Sequence, residues 1–128
     1  MVVQLFQGWT FNESEARLAL EALNRRVAAI YRQEPISGMN VVFTDMIEDH
    51  VVKDFSTGQK VFTRRTVGQC IRAEKLIRIV VRKGWQTTAV HEFVHLYNPG
   101  RGEAWIARAS KDVARLLKHG GLWSEPVA

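Results

Sequence analysis

The hydrophobic pattern of the chain changes twice along its length, and this change constrains the fold more than any other feature. Over residues 12–31 apolar side chains recur at three- and four-residue spacing, which is typical of an amphipathic helix. Residues 39–83 form short runs rich in Val, Ile, Phe and Thr, which favour strands. Two further helical segments, 86–97 and 102–118, close the chain. This order predicts an α+β fold with a small mixed sheet.

The boundaries of these elements follow from local signals. Asn12 is expected to cap the first helix, with Glu15 three residues later as in a capping box, and Pro35 and Gly38 end it. The tripeptide at 98–100 is Asn-Pro-Gly, which predicts a sharp corner between the last two helices. We place strands at 40–45, 51–55, 60–63, 67–72 and 76–82, with turns at 56–59 and 73–75.

Length and composition exclude several classes of protein. No linker or repeat divides the 128 residues, so we expect a single domain. A chain of this size buries enough surface to fold without disulfides or metal, so a metal site would serve a function. The only cysteine, Cys70, cannot form an internal disulfide. With no secretion signal and no long apolar run, the sequence predicts a cytoplasmic protein that is not inserted in a membrane.

The second helix contains the sequence His91-Glu92-Phe93-Val94-His95, an H-E-x-x-H motif. Residues four apart lie on nearly the same face of a helix, so both imidazoles can bind one metal ion. Glu92 lies about 100° around the helix from His91, where it can contact a metal-bound water without being a ligand. A zinc ion lowers the pKa of such a water, and the glutamate acts as the general base. The motif therefore predicts a zinc-dependent peptidase.

A catalytic zinc ion usually has three protein ligands, so the third must come from another part of the chain. Glu103 lies eight residues after His95, in the first turn of the last helix, where a returning helix would face the metal. The alternative is that Glu103 is not a ligand and only complements the dipole at the N-terminus of the helix. His50, in an acidic segment, is the other candidate ligand.

Basic residues follow the metal motif. Arg101 has no lone pair and cannot be a ligand, but it can stabilise an oxyanion in the transition state. Residues 1–63 contain six Lys or Arg and eight Asp or Glu, whereas residues 64–128 contain twelve and five. In this second half, the last helix carries a basic stripe that consists of Arg108, Lys111, Arg115 and Lys118. The basic stripe can contact a nucleic-acid backbone, or it is a solvated helix face.

The order of these elements resembles the SprT-like (Spartan-type) zinc metalloprotease domain, a small zincin, over residues 12–118. The resemblance is carried by the motif at 91–95, by the strand-like segments 67–70 and 76–79 before it, and by Arg-Gly-Glu-Ala-Trp at 101–105. It implies a zincin-like fold, a peptide substrate and a sheet edge strand, 76–82 or a neighbour, that pairs with the substrate.

The chain departs from that family at one ligand. Arg101 stands where the family has its third histidine. Either Glu103 replaces that histidine, which is similar to the two-histidine, one-glutamate site of gluzincins, or zinc binding is weakened. The second case predicts a zincin-like binding module with a degenerate or structural metal site that contacts nucleic acid or a protein through its basic half.

Overall fold

The described part of the chain contains three α-helices, a three-stranded mixed sheet and two antiparallel strand pairs, a mixed α+β arrangement as predicted. The structure, a computed structural model, describes residues 2–6, 9–44, 47–53, 60–82 and 84–120, and the side chains within 11–44, 67–82 and 84–120. The helices are α1 (Glu13–Ile30), α2 (Trp85–Tyr97) and α3 (Glu103–His119). The strands are β1 (Val2–Phe6), β2 (Trp9–Asn12), β3 (Asn40–Thr44), β4 (Ile47–Lys53), β5 (Lys60–Thr66), β6 (Gly68–Ile71) and β7 (Leu76–Val80).

The mixed sheet has the strand order β3-β7-β6. β3 pairs in parallel with β7, with Asn40 opposite Leu76, whereas β6 pairs antiparallel to β7, with Gly68 opposite Ile79. β7 is thus the inner strand of this sheet, so the expected substrate-pairing edge falls on a neighbour of β7 and not on β7 itself. Two further antiparallel pairs, β1 with β2 and β4 with β5, lie in the described part of the chain.

Local signals placed most element ends to within a few residues. The Asn12 side chain caps α1 by accepting a hydrogen bond from the Glu15 N–H at 3.1 Å, as predicted. Lys75 adopts a left-handed conformation (φ 50°) between β6 and β7, at the predicted turn. The corner at 98–100 separates α2 from α3, also as predicted. Residues 56–59, the other predicted turn, lie outside the described residues. The strand pair β1–β2 was not predicted.

The core lies between the helices and the sheet. Phe11 packs edge-on against Phe43 and Trp85, with ring centroids 5.0 and 6.1 Å away. On α3, Leu116 is 60% exposed, because the buried face of the helix is centred about 100° further round, at Leu117. The apolar residues of α2 are buried in the core, among them Ala89, Val90, Phe93, Val94 and Tyr97.

A hydrogen-bonded clamp holds the C-terminal end of α2 against α1. The Tyr97 hydroxyl donates to the Asn24 side-chain oxygen and accepts from the Ile36 N–H at 2.9 Å. Asn24 in turn donates to the Ile36 carbonyl at 3.0 Å. These bonds fix the helix that bears the H-E-x-x-H motif. Among the described helices, none has the combination of length and apolar character that a bilayer span requires.

Candidate metal centre

Three residues of α2 form a group that can hold a metal ion. His91, Glu92 and His95 each present one potential ligand atom, and these atoms all lie within 4.8 Å of one another. The two imidazole rings have centroids 4.9 Å apart at an interplanar angle of 75°. This is the arrangement that the four-residue spacing predicts, because one helical turn brings the two histidines to the same face.

Glu103, at the start of α3, lies against both histidines. Its Oε1 is 2.9 Å from Nε2 of His95, and its Oε2 is 3.6 Å from Nε2 of His91. Ligand atoms of a tetrahedral zinc site are about 3.3 Å apart, as follows from bond lengths near 2.0–2.1 Å. The carboxylate thus forms an ion-pair contact with both histidines at distances close to that spacing. Its side chain is 77% exposed, so the centre is open on this side.

Ser110, two turns further along α3, orients His91. Its hydroxyl donates to the Ile106 carbonyl at 2.7 Å, and its Oγ lies 3.3 Å from Nδ1 of His91. Since the hydroxyl hydrogen is used by Ile106, Nδ1 of His91 must be the donor in the second bond. That tautomer leaves a lone pair on Nε2, the atom that faces Glu103. The sequence interpretation missed Ser110, although its place seven residues after Glu103, on the same helix face, was a usable signal.

We predict that Ser110→Ala lowers zinc affinity by roughly 10–100-fold, the usual cost of losing a hydrogen-bond partner of a metal-ligating histidine. Competition with a zinc-binding dye measures the effect. Ser110→Thr is the matched control, because a threonine hydroxyl can also bond to the carbonyl four residues earlier. Equal zinc affinity in Ser110→Ala and the wild type would remove Ser110 from this role.

Glu92 is buried beside the histidines and lacks a partner for one oxygen. The residue is 5% exposed, and its Oε2 has no hydrogen-bond partner within the described part of the chain. Burial, with a smaller contribution from the charge of Glu103, raises the pKa of the Glu92 carboxyl to about 7. A buried carboxylate oxygen without a partner costs free energy, so its place here needs a reason such as a water or an ion. A bound cation would lower that pKa again.

Gly68 of β6 makes room for Glu92. A Cβ atom built on Gly68 would lie 2.4 Å from Cγ2 of Thr88 and 3.2 Å from Cγ of Glu92. The strand therefore passes over α2 at the glutamate, and only glycine permits this approach. Cys70, two residues on, has a thiol pKa raised to about 12 by burial and then by the charges of Glu92 and Glu103. Its thiol is therefore protonated and unreactive in the metal-free chain.

The surroundings of His91 favour the neutral form of its imidazole. Burial lowers the pKa of His91, and the nearby charge of His95 lowers it further, while Glu103 acts in the opposite direction. A lowered pKa favours the neutral imidazole, which is the form that ligates metals. The site thus combines two imidazole nitrogens with a carboxylate on the open side and a buried carboxyl beside them.

The other predicted site residues are not all brought to this centre. Arg101 places its guanidinium carbon 4.7 Å from the ring centroid of Trp105, a cation–π contact, so its role as an oxyanion stabiliser stays a prediction. His50 lies on β4, and its side chain is outside the described residues. The basic stripe divides: Lys111, Arg115 and Lys118 line a groove that also includes His91, whereas Arg108 is exposed elsewhere on α3.

Comparisons with protein-family models, with curated proteins and with solved structures found no match. The function is therefore inferred from the residues of this chain alone.

Proposed function

We propose that this protein is a zinc metallopeptidase with a zincin-like active site, in which His91, His95 and Glu103 hold the zinc ion and Glu92 is the general base. The observation that carries the proposal is the Glu103 carboxylate, which contacts Nε2 of both motif histidines at 2.9 and 3.6 Å. Two imidazoles and one carboxylate form a ligand set of catalytic zinc sites that leaves a position open for water or substrate.

The residues present fit zinc in their chemistry. Imidazole suits several transition metals, and the combination with a single carboxylate is common in zinc hydrolases. A structural zinc site usually has four protein ligands and has no use for a buried base beside them, whereas Glu92 is placed there. When bound, zinc polarises the substrate carbonyl and lowers the pKa of a coordinated water.

Glu92 performs the proton transfers in this proposal. Its Oε2, which lacks a protein partner among the described residues, accepts the proton of the attacking water. The protonated carboxyl then donates this proton to the leaving amine nitrogen as the peptide bond breaks. Burial among the residues of α2 and beside Gly68 raises the pKa of this carboxyl, which opposes the lowering that a bound cation would cause.

Removal of the metal tests the proposal. The purified protein with zinc should hydrolyse fluorescein-labelled casein, activity should vanish when a chelator removes the metal, and added zinc should restore it. Mass spectrometry of the products should show new peptide termini. Zinc-loaded protein that binds the metal but cleaves neither casein nor a library of unstructured peptides would contradict the proposal and favour a binding module.

A further inference from the structure

A basic groove extends from the metal centre between α2 and α3. Its volume is about 560 Å³, within the usual range of ligand sites. We define the basic groove by its two walls and its rim: Thr87 and His91 on α2, the small residues Ala107, Ser110 and Ala114 on α3, and the cationic rim of Lys111, Arg115 and Lys118 with His119.

The charged side chains that line the basic groove are all positively charged. Among the described residues that line it, three are Lys or Arg and none is Asp or Glu. Asp112 lies outside the lining and forms an exposed ion pair with Arg115, with N and O atoms 3.6 Å apart. Such an exposed pair is weak, so it leaves Arg115 available to a second anion.

The basic groove adjoins the metal centre at His91. His91 is at once a proposed zinc ligand and part of the groove wall, and Ser110 both orients His91 and lines the groove. The basic groove meets the centre on the Nδ1 side of His91, so a side chain of a peptide that is held beside His91 can reach this space. Small and partly apolar residues line the walls of the basic groove, and the cationic side chains lie at its rim. This arrangement suits a short side chain with a negatively charged end.

We propose that the basic groove is a specificity subsite that binds an acidic side chain, Asp or Glu, of the peptide substrate through Lys111 and Arg115. This inference rests on the proposed peptidase function, because it takes the substrate to be a peptide held at His91. The groove is open, but its cations extend only about 10.5 Å along α3 from Lys111 to Lys118, and it adjoins the metal centre. A short cationic surface beside the site favours a side chain over a nucleic-acid backbone, which would need a longer one.

A binding experiment tests the subsite without depending on hydrolysis. Three short fluorescein-labelled peptides share an Ala/Gly background and carry a pair of Glu, Gln or Lys residues. Fluorescence anisotropy measures their affinity for the zinc-loaded Glu92→Gln protein, in which cleavage does not interfere. We expect the Glu peptide to bind about ten-fold more tightly than the Gln peptide, since each partly exposed ion pair contributes at most a few-fold. The Lys peptide should bind most weakly.

Variants of the rim locate the effect. Lys111→Glu combined with Arg115→Glu should abolish the preference for the Glu peptide. Arg108→Glu is the matched control for each single variant, Lys111→Glu or Arg115→Glu, because it introduces the same change of charge on the same helix outside the basic groove. Equal binding of the Glu and Gln peptides would overturn the proposal, and so would an equal loss of preference in Arg108→Glu, which would assign the effect to net charge.

Two further outcomes separate this inference from its alternatives. A single-stranded oligonucleotide that binds more tightly than the Glu peptide, and loses its binding in the rim variant, would assign the basic groove to nucleic acid and overturn the subsite. If the wild-type protein with zinc cleaves no peptide, the proposed function fails, yet the anisotropy comparison still decides whether the groove selects acidic side chains.

Discussion

The substitution Glu92→Gln should reduce kcat/KM for peptide hydrolysis by roughly 10²–10⁴-fold, the usual contribution of a general acid–base group. Glutamine has nearly the same size and fits the space beside Gly68, but it cannot accept and return the proton. Because Glu92 is not a proposed ligand, the variant should keep its zinc. A fluorogenic peptide assay and metal analysis of the same sample measure both properties.

The control for this substitution is Glu34→Gln, which makes the same chemical change at an exposed loop position. It should leave both hydrolysis and zinc content unaltered. If Glu92→Gln cleaved peptides as fast as Glu34→Gln, Glu92 would have no role as base. If Glu92→Gln lost zinc as well as activity, Glu92 would act as a ligand, and the division of roles between the two carboxylates would be wrong.

Removal of a ligand should have the second large effect. We expect His95→Ala and Glu103→Gln each to lower zinc affinity by more than the roughly 10–100-fold expected for a supporting residue, because they remove a direct donor. Calorimetric titration measures this change. Asp112→Asn, which changes an exposed carboxylate of α3 on the side opposite Glu103, is the control and should bind zinc as the wild type does.

The same variants test the coupling of metal binding to stability. A ligand that binds only the folded state at 1,000 times its Kd raises the free energy of unfolding by about 4.1 kcal/mol. Thermal denaturation with and without zinc should show this gain for the wild type and for Asp112→Asn. A gain of the same size in Glu103→Gln would show that the zinc ion binds without the third ligand.

Those parts of the fold that depend on neighbours in sequence could be predicted from the sequence. The Asn12 cap and the corner at 98–100 are set within a few residues, so their signals are local. The pairing of His91 with His95 follows from helix geometry alone. The contact of Glu103 with both histidines was also expected, because a short corner returns the next helix to the first.

The pairing of strands that are distant in sequence could not be predicted from the sequence. β-rich segments show that strands exist but not their order, so the inner position of β7 emerged only from the structure. The pair β1–β2 was missed although Val2–Phe6 and Trp9–Asn12 are rich in β-branched and aromatic residues around Gln-Gly. The approach of Gly68 to Glu92 joins residues 24 positions apart, and no local pattern marks it.

The surroundings of the basic stripe likewise could not be predicted from the sequence. Its helical spacing was visible in the sequence, and a solvated face or a nucleic-acid contact explained it equally well. The structure places Lys111, Arg115 and Lys118 in a groove that continues to His91 and leaves Arg108 outside it. The division of one stripe into two parts depends on where α3 packs against α2, and this packing is not contained in the periodicity of α3 itself.

X-ray absorption spectroscopy of the zinc-loaded protein tests the proposed ligand set most directly. Together with metal analysis, we expect one zinc ion per chain, bound by two imidazole nitrogens and a carboxylate oxygen near 2.0–2.2 Å, with the carboxylate contribution lost in Glu103→Gln. A chain that retains no zinc, or a spectrum that Glu103→Gln leaves unchanged, would contradict it.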